Sequence, residues 1–200
     1  MIASAPPPLP RVELALTLGE TTFDLRWRAL VGAVVAAPRF GRESEVLATV
    51  RAAAQAGADV AVTSLPPPLV GPAIRAGGVP IAARASSLEA VEAASQAGAA
   101  LVLVPADLVG AVADAGTTVA LLVDDVGDIP RGRALVGERS VPLAIDTSAV
   151  PTNEEALAIE SVAVPWGCRL LCTNDVRRTR RVVETVAALL AAARGRADRE

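Results

Sequence analysis

The stretch VPIAARASSLEAVEAASQAGAALVLVPA, residues 79 to 106, contains one complete structural unit. Two short apolar runs, VPIAARA (79–85) and ALVLVPA (100–106), flank an Ala-rich amphipathic helix. Apolar runs without strict alternation read as strands buried on both faces, and a helix between two of them makes a parallel crossover. Ser86 or Ser87 is placed to cap the start of the helix and Gly98 to cap its end.

The same unit recurs in both directions. Upstream, ALVGAVVA (29–36) leads to the helix RESEVLATVRAAAQAG (42–57), and DVAVTS (59–64) to a short helical piece around LVGPAIRAGG. Downstream, ALVLVPA leads to DLVGAVADAG, TTVALLVDD (117–125) to a poorly patterned stretch, VPLAIDTS (141–148) to NEEALAIESVAVPWG, and CRLLCTN (168–174) to DVRRTRRVVETVAALLAAARG. Seven strands alternating with helices imply a parallel sheet with right-handed crossovers. A (β/α)8 barrel with one unit eroded and a doubly wound open sheet both satisfy this pattern. The loop APRFGRE after the first strand holds no G-x-G-x-x-G, and the chain of 200 residues is shorter than the roughly 250 usual for a barrel.

Ahead of this pattern, VELALTLGETTFDLRW alternates around a Gly-Glu turn, as a β-hairpin does. Residues 1–10 read as a disordered Pro-rich tail, 11–195 as a single domain and 196–200 as a charged tail. SLPPPLVGP (64–72) reads as a rigid loop replacing a trimmed helix start, ahead of the alternative of an SH3-type ligand.

Composition excludes more chemistry than it suggests. The chain has no His and no Lys, so the usual neutral-pH base, the Schiff-base amine and every His-containing metal or nucleophile arrangement are absent. Nineteen Arg face 22 acidic residues for a net charge of -3, and two Trp, two Phe and no Tyr leave little to stack on bases. Neither nucleic acid nor an anionic membrane is an expected partner; small molecules or proteins are. Cys168 and Cys172 are too few for a disulfide framework or a zinc site, which points to a reduced, cytoplasmic setting. MIASAPPPLP lacks the basic and apolar regions of a signal peptide.

Several residues remain as candidates for chemistry. Asp124 and Asp125, with Asp128 near, would suit a divalent ion or acid–base work, but a solvated loop closing a strand is the plainer reading. Arg177, Arg178, Arg180 and Arg181 crowd the start of the last helix, against its dipole. They form either a solvated face or a docking surface for an acidic partner or anion. Cys172 has no His to activate it and reads as a buried thiol.

The order and wording of these segments resemble the dihydropteroate synthase family, the pterin-binding enzymes of folate synthesis. LTLGETTFDLRWRALVGAVVAAPRF is similar to that family's hairpin, first strand and Asn-x-Thr-Pro-Asp-Ser-Phe loop. QAGADVAVTS resembles its second strand, VPIAARASSLEAVEAASQAGA its third strand and helix, VPLAIDTSAV its Gly-Thr-Ser-Arg-Lys strand, and GCRLLCTNDVRRTRRVV its terminal Arg-x-His-Asp-Val strand and helix. The likeness runs from residue 16 to 190, shortened between about 124 and 140. It implies a (β/α)8 barrel of reduced or incomplete form, closing with seven strands or borrowing an eighth from RALVGER.

The departures from the family fall on its chemistry. Its first-loop Asn and Asp correspond to Val35 and Arg39, with Pro38 and Phe40 kept. Its second-strand Asp corresponds to Val62, its third-strand Asp to Arg84 followed by Ala85, and its Asn-Asp on the fourth strand to Leu103 and Val104. Thr147 and Ser148 match, but Ala149 and Val150 replace Arg-Lys; Cys172 and Asn174 replace the last Arg and His, and Asp175 remains. In the family these side chains pair with the pterin edge or hold the leaving diphosphate. Hydrogen bonds to charged groups are worth about 1.5–3 kcal/mol each, so losing three or four removes micromolar binding. Asp146 stands where the family has Gly, positioned to meet Arg84 across the mouth as an ion pair.

The resemblance therefore implies a barrel without catalytic residues, cofactor or metal, with Arg39, Arg84, Asp124, Asp146, Ser148 and Asn174 as ligand-binding candidates at the mouth. The expected function is a non-catalytic structural or regulatory partner, forming a homodimer or a heterodimer with an active enzyme through its last two helices. Two alternatives stand beside it. One is an enzyme of altered chemistry using Asp124, Asp125, Asp146 and Arg84; activity of the family type would make it a folate-synthesis transferase. The other is a binder of a pterin-like or apolar ligand in a pocket lined by Val35, Val62 and Leu103.

Overall fold

The computed structural model describes residues 15–26, 28–35, 43–64, 67–113, 117–137 and 141–197. The proposed Pro-rich tail, Arg39 with its loop neighbours Pro38 and Phe40, and the last three residues lie outside these. An antiparallel hairpin of β1 (Ala15–Leu18) and β2 (Thr21–Asp24) precedes seven parallel strands: β3 (Leu30–Val35), β4 (Val60–Thr63), β5 (Ile81–Arg84), β6 (Leu101–Val104), β7 (Val119–Val123), β8 (Leu143–Asp146) and β9 (Cys168–Thr173). These seven close on themselves in sequence order, with β3 pairing β9 from Leu30↔Leu170 to Ala33↔Thr173. Helices α1 (Glu43–Gln55), α2 (Pro67–Gly77), α3 (Leu88–Gln96), α4 (Val109–Ala113), α5 (Ile129–Val136), α6 (Asn153–Ala163) and α7 (Val176–Ala197) follow the strands in turn.

The barrel strands are mostly apolar because both faces are covered. Their outward residues, among them Val31, Val102, Leu121, Ile145 and Leu171, pack with Val91, Ile129, Ala163, Val183 and Val186 of the helices. Their inward residues form a separate cluster that also takes in Leu16, Leu18 and Leu25, so the hairpin plugs the barrel at the strands' amino ends. A seven-stranded barrel is narrower than one of eight, whose interior is just filled by side chains. Small inward residues at Gly32, Ala82, Ala120 and Ala144 make room for Leu30, Leu101, Leu103 and Leu170. A Cβ on Gly32 would lie 2.7 Å from Val62 Cγ2 and 3.2 Å from Leu170 Cδ1.

The local signals of the 79–106 unit match the structure closely. Ser87 is extended at the α3 N-cap and its Oγ accepts from Ala90 N–H at 3.2 Å; Ala97 is the C-cap, and Gly98 follows it at φ 92°. Two expectations change. RALVGER supplies no eighth strand: Arg133–Val136 belong to α5, which starts with a proline in its first turn and follows β7. The Pro-rich loop also begins a helix earlier than expected, since α2 starts at Pro67 and contains Pro72. Prolines fit the first turn because its N–H groups have no partner within the helix. At the other end, α7 continues through Ala197, two residues into the stretch read as a charged tail.

Candidate functional site

At the carboxyl ends of the strands, where barrel enzymes keep their sites, the inner face is aliphatic. Val62, Leu103 and Cys172 point inward and are 0%, 1% and 0% exposed. Val35 does not join them. It packs outward against Val46 and Val50 of α1 and Val70 and Ala73 of α2, while its neighbour Val34 meets the inner cluster. The side-chain period of a strand is two, so a one-residue offset in matching Val35 to the family's Asn moves it to the other face. The apolar pocket expected between Val35, Val62 and Leu103 therefore does not form. Ala85 and Val104 likewise face the helices.

The polar candidates at the mouth form one chain of contacts. Arg84 Nη2 donates to Asp146 Oδ2 at 2.5 Å, with side chains 28% and 19% exposed. Asp146 Oδ1 accepts from Ser148 N–H at 2.8 Å, and Asn174 Nδ2 donates to the Ser148 carbonyl at 2.7 Å. Four candidates, Arg84, Asp146, Ser148 and Asn174, are thus brought together from β5, β8 and the loops after β8 and β9. The charges of Arg84 and Asp146 neutralise each other, and Asn174 spends its amide on a backbone carbonyl. Asp124 is exposed after β7, and among the described residues no hydrogen bond links it to this chain. Asp125 instead caps the short 3-10 turn Val126–Asp128, accepting from Gly127 N–H at 2.7 Å. Among the described residues, no group of three or more acidic or Cys side chains is placed to hold a metal.

Both cysteines are free and fully buried. Burial pushes the Cys168 thiol up to about 12. Burial, with the Asp146 carboxylate adding to it, pushes Cys172 well above the usual thiol range. Neither forms the thiolate that nucleophilic chemistry needs. Thr173 turns the chain at the end of β9, accepting from Asp175 N–H at 3.0 Å, and Asp175 then caps α7 by accepting from Arg178 N–H at 3.0 Å.

A buried polar cluster lies behind the mouth. Glu160, on α6, has no exposed surface, and its Oε1 accepts from Thr147 Oγ1 at 2.8 Å, Thr179 Oγ1 at 2.9 Å and Arg178 Nη2 at 2.9 Å. Arg178 also reaches Asn153 Oδ1 at 2.7 Å and Thr173 Oγ1 at 3.2 Å. Sequence reasoning passed over Glu160. The signal was its phase: Ala156 and Ala163 share its face of the helix and are buried, so a carboxylate stood at a core position. The arginine cluster of α7 divides accordingly. Arg178 turns in to Glu160, and Arg180 bonds Asp59 Oδ2 at 2.7 Å and the Gly57 carbonyl at 2.6 Å. Asp59 also accepts from Val31 N–H at 2.8 Å, which joins α7 to the start of the barrel. Arg177 and Arg181 are exposed.

No protein-family model matches the chain, and no curated protein does. Solved structures do. A dihydropteroate synthase from Yersinia pestis, with a pterine-sulfa conjugate, superposes at TM-score 0.67 and 17% identity over 90% of this chain and 99% of that one. The enzyme from Xanthomonas albilineans in complex with 7,8-dihydropteroate gives 0.64 and 18% over 88% and 98%. The 7,8-dihydropteroate synthase of Vibrio fischeri gives 0.68 and 14% over 89% and 98%. At such identities the likeness is one of architecture, and in architecture this chain is a dihydropteroate-synthase-like barrel reduced to seven strands.

Proposed function

We propose that this chain is a non-catalytic relative of the dihydropteroate synthases, serving as a structural or regulatory partner of another protein. The observation that carries the reading is the inner face of the mouth: Val62, Leu103 and Cys172 are buried there, and Arg84, the one cation there among the described residues, is already neutralised by Asp146. A heterocycle seated against these residues would lose water from its donors and acceptors and gain no partners, a cost of several kcal/mol per group in apolar surroundings. A diphosphate would have to displace Asp146 from Arg84. The partner reading is supported by α6 and α7, where Leu157, Val162 and Leu189, with Trp166 just beyond α6, are exposed apolar side chains. An active synthase of the same fold, or another protein partner, fits such a face.

Titration calorimetry of the full chain with 6-hydroxymethyl-dihydropterin diphosphate and para-aminobenzoate tests the absence of catalysis. No heat and no product are expected. Saturable binding with turnover would show that the mouth still works and would end the proposal.

A further inference from the structure

We infer that the groove between α6 and α7 is a docking site for an acidic, amphipathic segment of a partner protein, an inference that rests on the non-catalytic partner reading above. The groove has a volume of about 520 Å³. Leu157 of α6 with Val182 and Val186 of α7 make its apolar lining, and Arg177, Arg178 and Arg181 line it together with one carboxylate, Asp175, which leaves the groove basic on balance. Leu157 is an exposed leucine 44% accessible to water, so the lining is not sealed by the chain itself.

The charges identify the occupant. Arg177 and Arg181 lie one helical turn apart, a spacing at which like charges repel. They also sit in the first two turns of the 22-residue α7, where the helix dipole disfavours cations. Arg178 and Arg180, on the same turns, are matched by Glu160 and Asp59. Arg177 and Arg181 have no carboxylate partner among the described residues. Among the described residues, two cations are therefore left without an ion-pair partner in a partly apolar trough. A segment with one apolar stripe and carboxylates flanking it satisfies both at once, in the manner of a helix laid into a groove. A nucleic acid or a free phosphate would answer the arginines and leave the apolar floor uncovered.

The test uses the full chain and a fluorescein-labelled 20-residue probe peptide, with leucines on one helical stripe and glutamates elsewhere. Fluorescence anisotropy is expected to show saturable binding, weakened by about tenfold or more in Arg177→Glu/Arg181→Glu. Both side chains are exposed, and an unchanged melting temperature verifies that the variant is folded. Leu157→Asp should weaken binding as well. Equal binding by the double variant, or by a scrambled peptide of the same composition, overturns the inference, because charge and groove would then not act together. Sedimentation of the wild type as a dimer that the double variant breaks would give the groove to a second copy and overturn it too. So would binding to phosphatidylserine–phosphatidylcholine vesicles that the double variant loses, in favour of a membrane. Failure of the peptide to bind, with no turnover in the calorimetry, removes this inference and leaves the non-catalytic reading standing; turnover with peptide binding does the reverse.

Discussion

The inside of the barrel mouth and the seam behind it, between β8, β9 and helices α6 and α7, differ in where they hold polar groups. Inside, where a substrate would sit, Val62, Leu103 and Cys172 are buried and, among the described residues, Arg84, Asp146, Ser148 and Asn174 form one hydrogen-bonded chain. In the seam, Glu160, Thr147, Thr173, Thr179 and Arg178 form a connected, largely buried network. An enzyme of this fold needs fixed polar groups where charge develops on the substrate. Here they are fixed where two helices meet the sheet. The difference teaches that buried polarity in this chain holds elements together, and that Thr147, one of the two residues matching the family's Thr-Ser, belongs to the seam.

The seam should give the largest effect when broken. Glu160→Ala removes the acceptor shared by two hydroxyls and a guanidinium, and loss of one member of a buried charged pair costs about 3–5 kcal/mol. Denaturant unfolding should show this as a large fall in midpoint. A change under about 1 kcal/mol would mean that the network does not hold α6 to α7.

A smaller effect is expected from crowding the interior. Gly32→Ala places a Cβ against the stiff, β-branched Val62 at 2.7 Å, and such overpacking costs about 1–3 kcal/mol. A neutral or stabilising result would show that the inner face has room to spare, contrary to a tightly filled barrel. Pairing it with Val62→Ala should recover part of the loss by removing the clash.

The smallest effect belongs to the ion pair at the mouth. Asp146→Asn can keep the oxygen that accepts from Ser148 N–H, but it puts an amide NH2 in place of the charged oxygen that accepts from Arg84, for an expected cost of about 1 kcal/mol in thermal unfolding. Recovery of an affinity for inorganic phosphate in this variant would sharpen the comparison, since it would show that Asp146 is what keeps Arg84 from anions.

Much of the architecture was readable from residues 79–106, because a cap at Ser87, a glycine after Ala97 and two doubly buried strands are local signals. The meeting of Arg84 and Asp146, 62 residues apart, followed from aligning strands to a known barrel. Val35 was misplaced because matching a strand one residue out reverses its face, and Arg39 lies outside the described residues. Glu160 was missed because its partners Thr147, Thr179 and Arg178 come from three separate segments.

By itself the amino-acid sequence determined the alternation of strands and helices, the absence of His and Lys chemistry, and the mostly apolar character of the barrel strands. Those follow from local propensity, side-chain inventory and periodicity, which act over a few residues. The tertiary structure alone decided that the barrel closes with seven strands, that Val34 rather than Val35 faces inward, and which arginines of α7 find carboxylates. Such outcomes depend on register and on contacts between distant segments, where a shift of one position changes the face a side chain presents.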